Sequence, residues 1–368
     1  VNPTFTVGAI TGTLSVCKAA TTALSSVTGG GVWTSSTPTV GTVGTTGVVT
    51  GVNTGTTTIS YTVTNGSGCV TRVTAVVTVN PLPVVTNASG VYSTCENVNM
   101  TLNSNISSGT WSSSNTLVGT INSTTGLFTP VSVGSTIISY TVSSTGCVGT
   151  RSITTNAMPS SITGATAICV GGTSTLTSLP SGGTWTSSSV GIATVNVTTG
   201  VVTATNVGTT TLSYRRANGC YATSVVTINS TPAVIAGTRT VCVGSTTTLT
   251  TTPTGGVWSS SNGSIATVGT SSGLVNGVLN GTATITYTTA AGCTRTTVVT
   301  VNALPAAITG AGVACAGGGT TPLTNVSGTW TSSNTGIATV SYLGLVTGVG
   351  VGNAVITFRN SNNCATTK

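Results

Sequence analysis

Carboxylate side chains are almost absent from this chain. Its 368 residues include no His and no Asp, and Glu96 is the only acidic residue. Only 3% of residues are charged, against roughly 25% in an ordinary soluble domain. Each absence removes a class of chemistry. General acid–base catalysis draws on His, Asp or Glu, and a paired-carboxylate glycosidase needs two acids. Serine and cysteine nucleophiles are normally activated by a His. Calcium and magnesium sites need carboxylates. Zinc sites need His or clustered Cys, and no C-x-x-C spacing occurs. The expectation is a protein that is not an enzyme, with no catalytic residue, cofactor or metal.

Concentrated positive charge is missing too. The net charge is +8, but the nine basic residues are scattered, with no run longer than Arg215-Arg216, and aromatics make up 4%. Nucleic-acid binding uses a basic face with stacking aromatics, so no nucleic-acid partner is expected. No apolar run approaches the ~20 residues of a membrane span. The chain opens Val1-Asn2-Pro3, without Met or a signal peptide, and reads as a mature or excerpted piece.

What is present is repetition. Five Trp segments align: GVWTSSTPTVGTV (31–43), GTWSSSNTLVGTI (109–121), GTWTSSSVGIATV (183–195), GVWSSSNGSIATV (256–268) and GTWTSSNTGIATV (328–340). A second block follows each, centred on Tyr61, Tyr140, Tyr214, Tyr287 and Phe358 and leading to a Cys. Linkers end at Pro83, Pro159, Pro232 and Pro305. The interval between successive Trp residues sets the period, and the repeats divide as 1–80, 81–156, 157–229, 230–302 and 303–368. Val1-Asn2-Pro3 resembles a linker tail, and repeat 5 stops four residues after Cys364, before its final strand. The array is therefore expected to continue both ways.

Within a repeat, short Thr/Val/Ile runs alternate with Gly, Asn and Ser turns, the pattern of closely spaced strands. Repeat 4 reads as strands at Val234–Thr238, Thr240–Val243, Thr246–Thr252, Gly256–Ser260, Ile265–Val268, Leu274–Val278, Ala283–Thr288 and Cys293–Val301. Seven or eight strands imply a two-sheet sandwich. The fold class is all-β, in five tandem copies. Trp33, Trp111, Trp185, Trp258 and Trp330 read as core anchors at the start of a central strand, in preference to sugar-stacking platforms.

The strings W-S-S-N, I-A-T-V, G-x-V-T-G-V and G-T-A-T-I-T-Y resemble bacterial immunoglobulin-like domains of group 2. The match is specific in repeats 3 to 5. Repeats 1 and 2 depart from it, with Thr37-Pro38 in place of Ser-Asn and Phe128-Thr129-Pro130 in place of V-T-G. The resemblance implies a tandem array of immunoglobulin-like β-sandwich domains in stalk, spacer or adhesive roles. The Cys-bearing, acid-poor version is similar to repeats of large surface adhesins of gliding Bacteroidota-type bacteria, which implies export by the type IX secretion route.

Ten Cys at regular places imply disulfides and an oxidising compartment. First-type Cys are 17, 95, 169, 242 and 315, and second-type Cys are 69, 147, 220, 293 and 364. Pairing within a repeat, Cys17 with Cys69 and so on, would close loops of about 50 residues, worth roughly 4 kcal/mol in the chain-entropy model. The spacing favours a different scheme. From a second-type Cys to the linker Pro (69–83 at the first linker) there is room for one full strand. From that Pro to the next first-type Cys (83–95) there is room for another. Each run covers on the order of 30 Å. A second-type Cys then sits at the entry end of its repeat and a first-type Cys at the exit end, too far apart for a bond. This assumes a first strand that runs straight. The favoured pairs are Cys17–Cys147, Cys95–Cys220, Cys169–Cys293 and Cys242–Cys364, with Cys69 and Cys315 pairing outside the excerpt. Within-repeat bonds remain the rival.

Ten N-x-S/T sequons, Asn65, Asn87, Asn105 and Asn262 among them, are the number expected of so Asn-, Ser- and Thr-rich a chain. Lys18 and Glu96 share the slot after the first-type Cys and are assigned no role. Uncharged Thr-rich edges lack the charges that block edge pairing, so lateral copies in a fibre join neighbouring repeats as expected partners. The leading expectation is a disulfide-braced, force-bearing rod, a stalk or filament segment of an extracellular, cell-surface adhesin. The alternative is a module binding polysaccharide or another cell's surface.

Overall fold

Thr, Val and Ile suit a pleated surface buried on one face, and the runs rich in them are strands. The computed structural model describes residues 5–325 and 327–368, and no helix occurs among the described residues. Val1-Asn2-Pro3, read above as a linker remnant, lies outside them. The chain forms two compact units. One comprises Val1–Ser161, Ser178–Gly183 and Tyr214–Ala222; the other comprises Ile162–Thr177, Thr184–Ser213 and Thr223–Lys368.

In the first unit, repeat 1 makes two four-stranded sheets. One has the order Ser15–Cys17, Val70–Asn80, Gly55–Thr64, Val32–Ser35, and the other Thr11–Gly12, Thr21–Ser25, Val48–Gly51, Gly41–Val43. Repeat 2 keeps the plan, with Ser93–Cys95, Val148–Asn156, Gly134–Val142 and Gly109–Ser113 in one sheet. Met100–Thr101, Leu127–Pro130 and Gly119–Ile121 form the other, beside a ribbon of Val85–Thr86 and Asn103–Ser104.

The second unit repeats the design. In repeat 3, Ala167 pairs in parallel with Thr227 and Cys169 with Asn229. Repeat 4 sets Thr240–Cys242, Thr294–Asn302, Gly281–Thr288 and Val257–Ser260 opposite Thr246–Thr248, Leu274–Gly277 and Ala266–Val268. Along Gly281–Thr288 burial alternates, so Ala283, Ile285 and Tyr287 face inward. They meet Ile235, Leu249, Trp258, Val275 and Val299 in one core, where a fully buried aliphatic side chain contributes about 1.5–3 kcal/mol. In repeat 5, Ala365–Thr367 pairs with Ile356–Asn360. Its final strand is therefore begun, not missing as expected, because the residues directly after Cys364 already hydrogen-bond to the neighbouring strand.

Two expectations about strand placement need correction. Val234–Thr238 is not a strand: Ala236 alone makes a bridge, to Thr250. The chain then crosses to the other sheet as Thr240–Cys242. Gly237, at φ 116°, makes the crossing possible, since a Cβ there would sit 2.4 Å from the Thr248 carbonyl oxygen. The first strand thus changes sheets without doubling back. Secondly, the Trp strand is an edge strand of its sheet, not a central one. Its outer neighbour would have been supplied by strands that join the opposite sheet instead.

Candidate functional site

The Trp positions are structural in their contacts. Trp111, Trp185 and Trp258 are buried, at 7%, 3% and 4% exposure, while Trp33 and Trp330 are half-buried. Trp258 lies opposite Tyr287 on the adjacent strand, ring centroids 4.7 Å apart. Trp33–Tyr61, Trp111–Tyr140 and Trp330–Phe358 repeat the pair at 4.5, 4.6 and 4.9 Å. Gly273, at φ 69°, closes on the same indole: a Cβ there would lie 3.1 Å from the Trp258 ring and 2.3 Å from the Leu249 carbonyl oxygen. Tyrosine hydroxyls then tie down the loop before the Trp strand. Tyr287 accepts from the Gly256 N–H and donates to the Pro253 carbonyl, both at 2.7 Å. Tyr61 does the same with Gly31 and Thr28, and Tyr214 with Gly183 and Pro180. These rings are packed against protein rather than offered as a platform for a sugar.

The serine after W-x-S has a role that the repeat pattern displays but does not explain. Ser261 donates its N–H to the Thr284 carbonyl and accepts the Thr284 N–H on its hydroxyl. Ser36, Ser114, Ser188 and Ser333 make the same pair with Thr58, Ile137, Thr211 and Val355. The side chain replaces a ladder bond where the Trp strand turns away. It satisfies a backbone donor that would otherwise lack a partner.

The cysteines are brought together between repeats. Cys17–Cys147, Cys95–Cys220, Cys169–Cys293 and Cys242–Cys364 are disulfides with Cα–Cα distances of 5.6 to 5.7 Å, inside the usual range. Each joins the first-type Cys of one repeat to the second-type Cys of the next. The strand register gives the reason. Cys17 lies opposite Asn80, the last residue of Val70–Asn80, whereas Cys69 precedes that strand's first residue. At ~3.3 Å per residue, eleven residues hold Cys17 and Cys69 roughly 36 Å apart along the strand. The same parallel register places Cys95 opposite Asn156 and Cys242 opposite Asn302. Cys147, Cys220, Cys293 and Cys364 are at most 1% exposed, which hides their sulfurs from solution reductants. Cys69 is half-buried and Cys315 exposed, and both are free thiols.

Glu96 has the place the sequence did not assign. Its carboxylate accepts the N–H of Met158 at 3.2 Å, so the only acid pins the linker leaving its own repeat. Lys18, in the equivalent slot, donates to Asn53 Oδ1 at 3.3 Å. The sequon side chains Asn65, Asn105 and Asn262 accept backbone N–H groups of Cys69, Val84 and Ser264. Among the described residues, no three His, Cys, Asp or Glu side chains cluster as for a metal. No helix there is long and apolar enough to cross a membrane.

Comparison with known proteins adds a family match. The family described as bacterial Ig-like domain (group 2) matches residues 315–368. No curated protein matches. Among solved structures, invasin, a bacterial integrin-binding protein, is similar at 14% identity over 84% of this chain and 81% of its own, with a TM-score of 0.30. A C-terminal fragment of intimin, solved with an intimin-binding domain, is similar at 18% identity over 50% of this chain and 62% of its own, TM-score 0.24. The S-layer protein SbsC is similar at 16% identity over 98% of this chain and 66% of its own, TM-score 0.21. The chain thus spans less than two thirds of the intimin and SbsC chains. The family match falls on repeat 5, whose W-x-S-S and I-A-T-V strings recur upstream; the chain is a tandem array of immunoglobulin-like β-sandwiches.

Proposed function

We propose that this chain is a non-enzymatic structural segment, a force-bearing stalk or filament portion of an extracellular cell-surface adhesin. The observation that carries the reading is the set of four disulfides, each joining one repeat to the next. Bonds of this kind form and persist in oxidising compartments, which supports a working place outside the cytosol. Each closes a loop of 122 to 130 residues, worth about 5 kcal/mol in the chain-entropy model. Joining neighbours covalently suits a load-bearing array. The near absence of acids, with no His, supports a role without catalysis. Attachment to a gliding bacterium's surface, export by the type IX route and lateral association into fibres all belong to this proposal.

The test is binding by the purified chain to an array of bacterial and host polysaccharides, beside force spectroscopy of the same preparation. The stalk reading expects no saturable binding and cooperative resistance to stretching. Saturable binding to one glycan class, lost when exposed Tyr342 or Tyr221 is changed to Ala, would replace it with the binding-module reading.

A further inference from the structure

The clasps overlap along the chain. Cys17–Cys147 encloses Cys95, Cys95–Cys220 encloses Cys169, and Cys169–Cys293 encloses Cys242. Every peptide bond from Cys17 to Cys364 therefore lies inside at least one closed covalent ring. Cutting any one of them leaves the molecule in one piece. Each linker is spanned in this way: Pro83 lies within 17–147, Pro159 within 95–220, Pro232 within 169–293 and Pro305 within 242–364. Bonds within repeats would do the opposite, leaving each linker as the sole connection between neighbours.

The spacing adds a second property. The intervals Cys147 to Cys169, Cys220 to Cys242 and Cys293 to Cys315 are equal in length. The first two hold only a last strand, a linker and a first strand, and the third holds a last strand and a linker. One route runs from Cys17 across to Cys147, along the chain to Cys169, and across to Cys293. Another runs from Cys95 across to Cys220, along the chain to Cys242, and across to Cys364. The remaining strands of the sandwiches, including the Trp and Tyr strands, are bypassed by both.

We infer that the four disulfides form a second covalent backbone that carries tension past all but one of the sandwiches, so that neither a cut linker nor loss of one interior clasp severs or lengthens the molecule. This holds whether or not the chain serves an adhesin. Along the peptide chain, tension from Cys17 to Cys364 passes through the whole interval between them. The shortest route through the clasps uses only segments 147–169 and 242–293. With Cys169–Cys293 removed, segments 95–147 and 220–242 take over, and their combined length is nearly the same. Fully stretched, the peptide path measures roughly 1,200 Å and either clasped path roughly 260 Å, at ~3.5 Å per residue.

The two methionines supply a test that needs no engineered site. Cyanogen bromide cleaves after Met100 and Met158, in denaturing acid that keeps disulfides intact. Fragment 159–368 is then held to the rest only by Cys95–Cys220. The expected result is a single species of full mass without reductant, which releases fragment 159–368 on reduction. Release of that fragment without reductant would overturn the inference. For the mechanical half, the chain is pulled from its termini to full extension, as wild type and as the C169S/C293S double variant. Both should reach the same length, about fourfold shorter than the reduced chain. Lengthening of the variant by the two intervals 169–220 and 242–293 would mean bonds within repeats and would refute the bypass.

Discussion

Ala19, Asn97, Gly171 and Gly244 occupy one slot, two residues after the first-type Cys, and all have positive φ, between 63° and 81°. An Ala there carries the steric cost of the left-handed region, about 1 kcal/mol. Ala19→Gly should therefore stabilise repeat 1 by about 0.5–1 kcal/mol, read as a higher denaturant midpoint at constant slope. The tyrosine clamp gives a prediction of opposite sign. Tyr287→Phe keeps the ring against Trp258 but leaves the Gly256 N–H and Pro253 carbonyl without their partner. A loss of roughly 1–2 kcal/mol is expected, measured by equilibrium unfolding of the same chain. Phe358 in repeat 5 is nature's version of that change, and Trp330 beside it is less buried than Trp258. At this scale the sequence was legible where a residue type recurs five times. It was silent on Glu96, because a carboxylate meeting the Met158 N–H 62 residues away leaves no periodic trace.

Among elements, the Trp strand shows what recurrence encodes. Trp258 anchors Val257–Ser260 against Gly281–Thr288, and Ser261 closes the strand with a hydroxyl in place of a backbone partner. Trp258→Ala should cost about 3–5 kcal/mol, as for other large-to-small changes at buried aromatics. Gly273→Ala, which drives a Cβ into the Leu249 carbonyl and the indole, should also destabilise repeat 4, by about 1–3 kcal/mol. Differential scanning calorimetry would resolve either as a lowered transition. Thr and Val alternation made the strands readable and placed most of their boundaries closely. The crossing at Gly237 and the edge position of the Trp strand were not readable. Both depend on which distant strand each segment pairs with, and alternation along one strand is the same whether its neighbour lies in one sheet or the other.

For the molecule as a whole, stability should respond little to solution conditions. A pH dependence requires groups that bind protons differently when folded and unfolded, and a chain with no His and one carboxylate side chain has few that titrate between pH 5 and 8. The melting temperature of the oxidised chain should be flat across that interval and shift little in molar salt, where screening has few charges to act on. A fall of more than a few degrees at either extreme would contradict this. Strong denaturant with reductant should do what pH and salt do not, because the second-type sulfurs are reached only after the sandwich opens. Strand length favoured pairing between repeats, since one strand is longer than any disulfide can span, and left bonds within repeats as the rival. The same reasoning assumed a straight first strand; it succeeded because a strand that changes sheets still advances toward the exit end.

The parallel register of Cys17 with Asn80 also dictates an order of assembly. A first-type thiol has no partner until the following repeat has been made and folded, 122 to 130 residues later. Cys17 and Cys95 are both waiting when Cys147 emerges, with Cys69 already in reach along the chain. Folding of each sandwich before oxidation would sort them, because it would carry Cys17 and Cys69 to opposite ends and leave Cys147 as the neighbour that Cys17 meets. A growing array therefore trails open thiols behind its newest repeat, and it matures like a zip whose teeth close only after the next pair has arrived.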